Sequence, residues 1–338
     1  MDLRLAAAHL TPEILRGLSD EELIVLADSV TEAVGVEIVK DSDRERAIEG
    51  RMAGDLDEDY VGDLYPIADQ ELAALPVDDV EMSEVNAAMD GIGREMGKRD
   101  TSIAVKILLA GVTALGTIAR RVERTHLRTI DPSIVISASF AQPDLAAIEE
   151  LSKQQLWWIG ELWNDHLSRV ITATVQREAL AVGLGREQVG KILRGVVEGS
   201  VAGVKVPGTW RGSTAQYHEM LAGTVRARAS AFGALTSMRD ADFTWYVIQA
   251  VLDERTSEQC RRMHGRRFKV SDGIAHVNRA LAARDPDEFK AVAGWKQPEE
   301  IDQLTGSGDE DSQRRALAAA GMALPPYHGR CRTVITAD

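Results

Sequence analysis

The chain has 338 residues, 44% hydrophobic and 27% charged, a length that allows two or three domains around at least one sizeable core. Two cysteines, Cys260 and Cys331, are too few for a secreted disulfide framework, and no apolar run is expected to approach the roughly 20 residues that span a bilayer. The net charge of −14 is uneven: residues 1–100 hold 26 acidic and 9 basic side chains (−17), residues 101–250 hold 13 and 16 (+3), and residues 251–338 balance at 14 each. Such an acidic first third repels phosphate backbones and anionic membranes and suits a basic protein partner, although it also serves simple solubility.

In chain order, the opening residues lack the apolar h-region of a secretory signal, so synthesis and residence in the cytoplasm are expected. Thr11-Pro12-Glu13 and Ser19-Asp20-Glu21-Glu22 carry helix-start chemistry, and a helix is predicted over 21–34. The acidic stretch 41–80, punctuated by Gly54, Gly62, Pro66 and Pro76, reads as short helices on a mobile linker, with helix signals returning near Ser83. Apolar residues at helical spacing predict a long helix over 103–127, broken at Asp131-Pro132. Ile134-Val135-Ile136 reads as a strand or as extended chain.

Gln142-Pro143-Asp144 opens a second long helix that runs to Ala181 and stops at Gly183 and Gly185. Two further helices are predicted over 186–197 and 214–238, separated by a loop. Trp157, Trp158 and Trp163 read as core rather than as a ligand box. From Phe243 to Ile248 the sequence is aromatic and β-branched, which predicts a strand opening a small C-terminal module. Helices are expected over 275–283, 286–293 and 311–320, with a loop at 305–309. The predicted fold is mainly α with a small α+β C-terminal module. The expected division is an acidic, helical region at 1–100, a helical domain at 101–240 and a Cys/His module at 241–338.

That module carries the chemistry. Cys260 and His264 are four residues apart, so on a helix they share a face; His328 and Cys331 follow the double proline Pro325-Pro326. Cys260, His264, His328 and Cys331 form a Cys2His2 list sufficient for structural zinc, with Asp253 as a spare oxygen ligand. The same cysteines also fit a disulfide or two inert buried thiols. The basic pairs Arg261-Arg262 and Arg266-Arg267 suit phosphate, an acidic partner or a solvated face. No nucleophile–base pair or His-Glu-x-x-His motif argues for catalysis.

Leu252-Asp253-Glu254-Arg255-Thr256-Ser257-Glu258-Gln259-Cys260, with Met263-His264-Gly265 after it, is similar to the first half of the signature of the phage Mu F-like head-morphogenesis family. Pro325-Pro326-Tyr327-His328-Gly329-Arg330-Cys331-Arg332 resembles the second half. The resemblance covers about residues 140–338, including Arg226 and Arg228 on the preceding helix and Trp245 on the strand. The pattern often has cysteine where Thr333 stands, and proline and asparagine after the histidine, where this chain has Gly329 and Arg330. Some members carry histidine where Cys260 stands, an exchange that a metal ligand tolerates and a disulfide does not. The resemblance thus implies a metal, with Cys260, His328 and Cys331 as leading ligands and Asp253 or His264 as the fourth.

For function, the resemblance implies a minor head protein of the capsid interior, present in the virion and, during assembly, in the host cytoplasm. Its expected partners are the portal, scaffold or major capsid protein, with weak or transient DNA contact and ejection with the DNA as further expectations. The alternatives are a metal-dependent hydrolase or nuclease built on the Cys/His site, and an ejected DNA-binding protein without catalysis.

Overall fold

The computed structural model describes residues 43–137, 139–179, 185–200, 206, 212–293 and 295–338. The helix predicted over 21–34, the helix stop at Gly183 and most of the loop after 199 lie outside the described residues. The fold is mainly α with one small three-stranded sheet near the C-terminus, as the sequence predicts. Contacts group the chain into two units, one built from 50–107 and 153–222 and the other from 43–49, 108–152 and 223–338 among the described residues.

The first of these units is all helical. The acidic stretch expected as short helices on a linker is one 30-residue helix, α1 (Asp43–Leu72). Its buried face repeats every four residues, with Met52, Leu56, Tyr60, Leu64, Ala68 and Leu72 all inside. Gly50, Gly54, Gly62 and Pro66 all lie on its exposed side. The Gly62 carbonyl that Pro66, lacking an N–H, leaves without a helical partner is thus on the solvent side. The unit continues through α2 (Met82–Met96), whose Glu84 carboxylate accepts from the Glu81 N–H at 2.8 Å. Trp163 is buried and donates from Nε1 to the Met89 carbonyl at 3.2 Å.

Helix α3 (Ser102–Ile130) matches the predicted span to within three residues. It also corrects the expectation about apolar runs, because an 18-residue window reaches a mean hydropathy of 1.9, long and apolar enough by composition to cross a membrane. Here it is a core helix, with Leu108, Val112, Leu115, Ala119 and Leu127 buried. Ile134–Ile136 is extended chain, not strand. Helix α4 (Gln142–Glu161) runs into a π-helical turn at Leu162–Leu167 that presents Trp163, then into α5 (Ser168–Ala179). Helix α6 spans Arg186–Val197 as predicted, and α7 spans Thr214–Asp240.

In the second unit, α3 and α7 cross at two glycines. A Cβ added to Gly233 would lie 2.2 Å from the Gly116 carbonyl oxygen, so the backbones touch where a side chain would fill the gap. Arg239 clamps Asp144 through two bonds of 2.9 Å, and the buried Arg120 guanidinium pairs with Asp240.

The sheet follows, with β1 (Trp245–Gln249) central between the antiparallel β2 (Arg267–Lys269) and β3 (Val334–Ala337). Opposite Tyr246 stand Phe268 and Ala337. Tyr246, Ile248, Phe268, Ile335 and Ala337 make the buried face, and Tyr246 and Phe268 stack at 5.9 Å. The short helix α8 (Glu258–Met263) precedes β2. Four helices then cover the connection from β2 to β3: α9 (Val270–Ala282), α10 (Pro286–Ala293), α11 (Pro298–Thr305) and α12 (Glu310–Ala319). Helix α11 is absent from the sequence expectation. Its Pro298 at the first turn and Ile301 in the core were the available signals.

Candidate metal centre

Cys260 sits on α8, whose cap Ser257 accepts the Cys260 N–H at 3.2 Å and so fixes the start of that helix. The second half of the site lies 68 to 71 residues further on, in the irregular segment between α12 and β3, where the Pro325-Pro326 peptide bond is cis. The two halves meet. Cys260 Sγ lies 3.2 Å from His328 Nε2 and 3.6 Å from Cys331 Sγ, and the three ligand atoms all fall within 4.8 Å of one another. Both cysteines are buried free thiols, and His328 is half-buried.

These separations suit an ion better than a covalent link. A tetrahedral centre with bonds of about 2.3 Å holds its sulfurs roughly 3.7 Å apart, whereas a disulfide needs about 2.05 Å. The imidazole is oriented for ligation as well. His328 Nδ1 lies 2.6 Å from the Gly329 carbonyl, which can only accept, so Nδ1 carries a proton and Nε2 is the nitrogen that faces the thiols. The Cys331 thiol is pushed down, first by the Cys260 thiol that donates to it and, against its burial, by His328. Cys260 is pushed up by that same neighbour and by burial, and His328 is pushed up chiefly by Cys331. One thiolate thus forms readily in a buried place and repels a second, an imbalance that a bound cation removes.

The other two proposed ligands stand outside this group. His264 is the C-cap of α8 and its N–H donates to the Cys260 carbonyl at 3.0 Å, but its ring does not join the thiols. Its Nδ1 instead accepts the Ala250 N–H at 3.1 Å. Asp253 is engaged by Arg332 through two bonds of 2.8 and 2.6 Å, and its Oδ1 also accepts from Thr256 Oγ1 and the Arg255 N–H. The Arg332 guanidinium holds its carboxyl well below the usual carboxylate range. Asp253 is therefore a brace between the two halves: it ties the turn before α8 to the residue next to Cys331. The closed four-ligand set expected from the sequence is thus replaced by three converging donors.

Two further residues complete the surroundings. Thr333 Oγ1 lies 3.1 Å from Cys260 Sγ, at the place where the family pattern often has cysteine. Arg226 on α7 donates to the Cys331 carbonyl at 3.3 Å while paired with Glu49 at 2.7 Å. The Asp253 clamp had no local signal in the sequence, because its partner Arg332 lies 79 residues away. Compared with protein-family models, curated proteins and solved structures, the chain has no match.

Proposed function

We propose that the chain is a phage minor head protein of the Mu F-like kind, acting in head morphogenesis at the capsid interior near the portal, with structural zinc in its C-terminal module. The observation that carries this reading is the meeting of the two halves of the resemblance. Asp253 clamps Arg332, Thr256 braces Asp253, and Cys260 meets His328 and Cys331, so residues read as one signature form one cluster. A metal on Cys260, His328 and Cys331 would link α8 to the chain entering β3 and so close the module, as structural zinc does in small domains. The partners are the portal, scaffold or major capsid protein, and any DNA contact is weak.

The test is composition of heads. Heads assembled from the phage genome that encodes this chain should contain it at low copy, together with portal, and deletion of its gene should yield defective heads. Normal, infectious heads lacking the chain would reject the reading.

The three-donor count favours one second reading, a metal-dependent hydrolase or nuclease, since catalytic zinc keeps a fourth position open. Burial of both sulfurs and the capture of Asp253 by Arg332 weigh against it, because no carboxylate within the clamp is left to act as base. Zinc-dependent cleavage of DNA or peptidoglycan by the purified chain, lost in Cys331→Ser, would establish it instead.

A further inference from the structure

Three residues of the two basic pairs, Arg262, Arg266 and Arg267, converge on a pocket of their own. A cavity of about 410 Å³ opens between the turn leading into β2 and helix α12. Its polar walls are Arg262, His264, Arg266, Arg267, Arg314 and Glu310, and Phe268 and Leu317 form the apolar floor.

Three of the four arginines are held by carboxylates. Arg262 is gripped by Asp302 at 2.7 Å and Glu258 at 2.8 Å, Arg314 by Asp311 at 2.7 Å and by Asp272, and Arg267 by Asp338. None of those five carboxylates lines the pocket; Glu310 is the one carboxylate in its lining, against four arginines. Arg266 differs from the other three. Its partners are the Arg262 carbonyl at 3.4 Å and Gln313 Oε1 at 3.0 Å, and it forms no ion pair among the described residues. His264 adds another donor, because Nδ1 already accepts the Ala250 N–H and the neutral ring then carries its proton on Nε2. Arg267 and Arg314 also lie over the Trp245 ring, at 5.3 and 5.7 Å, which fixes them further.

Such a pocket is built for a group that only accepts hydrogen bonds and carries negative charge. We propose that it is an oxyanion site that takes the phosphate group of a small phosphorylated ligand of mononucleotide size. The volume lies within the ~300–1,000 Å³ of small-molecule sites. A preorganised fork of guanidinium groups matches phosphate oxygens, with Arg266 supplying the uncompensated charge.

Calorimetric titration of the full chain with inorganic phosphate, adenosine monophosphate and duplex DNA tests this. Saturable one-to-one binding of phosphate and of the mononucleotide is expected. Arg266→Gln should weaken it by about tenfold or more, Arg266→Lys should weaken it less, and Arg315→Gln, on α12 outside the pocket, should leave it unchanged. Should Arg266→Gln fail to fold, Arg267→Gln, at a more exposed position, reads the same loss. Absence of saturable phosphate and mononucleotide binding, or equal affinity in Arg266→Gln, overturns the proposal. So does binding of duplex DNA alone, which would make the arginines a backbone-contacting surface.

Discussion

The helical unit and the Cys/His module solve the problem of a stable interior differently. In the unit built from 50–107 and 153–222, stability comes from repetition: α1 buries an apolar residue every four positions, and Trp163 inserts with its one polar atom satisfied by Met89. In the module, short strands of three to five residues and a six-residue α8 bury little on their own. Contacts between residues about 70 positions apart take over, through Cys260 with His328 and Cys331 and through Asp253 with Arg332. A region of the first kind loses stability in proportion to the apolar volume removed, whereas one of the second kind fails when a single ligand or clamp goes.

The largest expected effect is therefore Cys331→Ser. With a ligand of the proposed metal lost and a hydroxyl left in a buried sulfur site, the module should lose on the order of 5 kcal/mol or more. Its melting should become insensitive to a chelator that destabilises the unchanged protein. Equal melting of mutant and parent, with and without chelator, would break the comparison. Next comes Trp163→Ala, expected to cost about 3–5 kcal/mol in the helical unit without changing metal content. A fall in bound zinc in that variant would show that the two regions are not separable.

What was legible in the sequence follows the same division. The spans of α3, α6 and α7 could be read because helical periodicity is local. Helix α1 was misread because its glycines and Pro66 were weighed as breakers. The regular spacing from Met52 to Leu72 was the stronger signal, and the breakers all sit on the exposed side of the helix. At the site, Cys260, His328 and Cys331 were legible as ligand types, and their convergence follows the motif order. His264 and Asp253 were assigned on sequence proximity, but the His264 ring accepts the Ala250 N–H and an arginine 79 residues away captures the Asp253 carboxylate. Strands β2 and β3, three and four residues long, are too short for a period-two pattern to declare itself.

A smaller effect probes burial without the metal. Glu123 on α3 is buried and accepts the Ala337 N–H at 2.9 Å, and burial pushes its carboxyl up to about 7. Its folded value lies above its unfolded one, so its contribution is fully present below about pH 4.5 and is lost as pH rises through about 7. Glu123→Gln keeps an acceptor for Ala337 and removes the buried charge. It should flatten the stability profile between those values and raise stability at pH 8 by up to about 3 kcal/mol, as read by thermal melts across pH. A profile identical to the parent's would show that Glu123 is solvated.

The smallest effects sharpen the picture of the centre. Asp253→Asn should lower metal affinity about tenfold by loosening Arg332 beside Cys331, without removing the site. Thr333→Cys should raise affinity by a similar factor, about tenfold, by adding a thiolate 3.1 Å-class neighbour of Cys260 to the three donors. Competition with a chromogenic chelator reads both.

The central claim is that Cys260, His328 and Cys331 hold one ion. X-ray absorption at the zinc edge, on full-length protein purified without a chelatable tag, tests it most directly. One zinc per chain with two sulfur neighbours near ~2.3 Å and lighter nitrogen or oxygen neighbours is the predicted result. Metal-free protein with both thiols freely titratable, or with Cys260 and Cys331 oxidised to a disulfide, would contradict it.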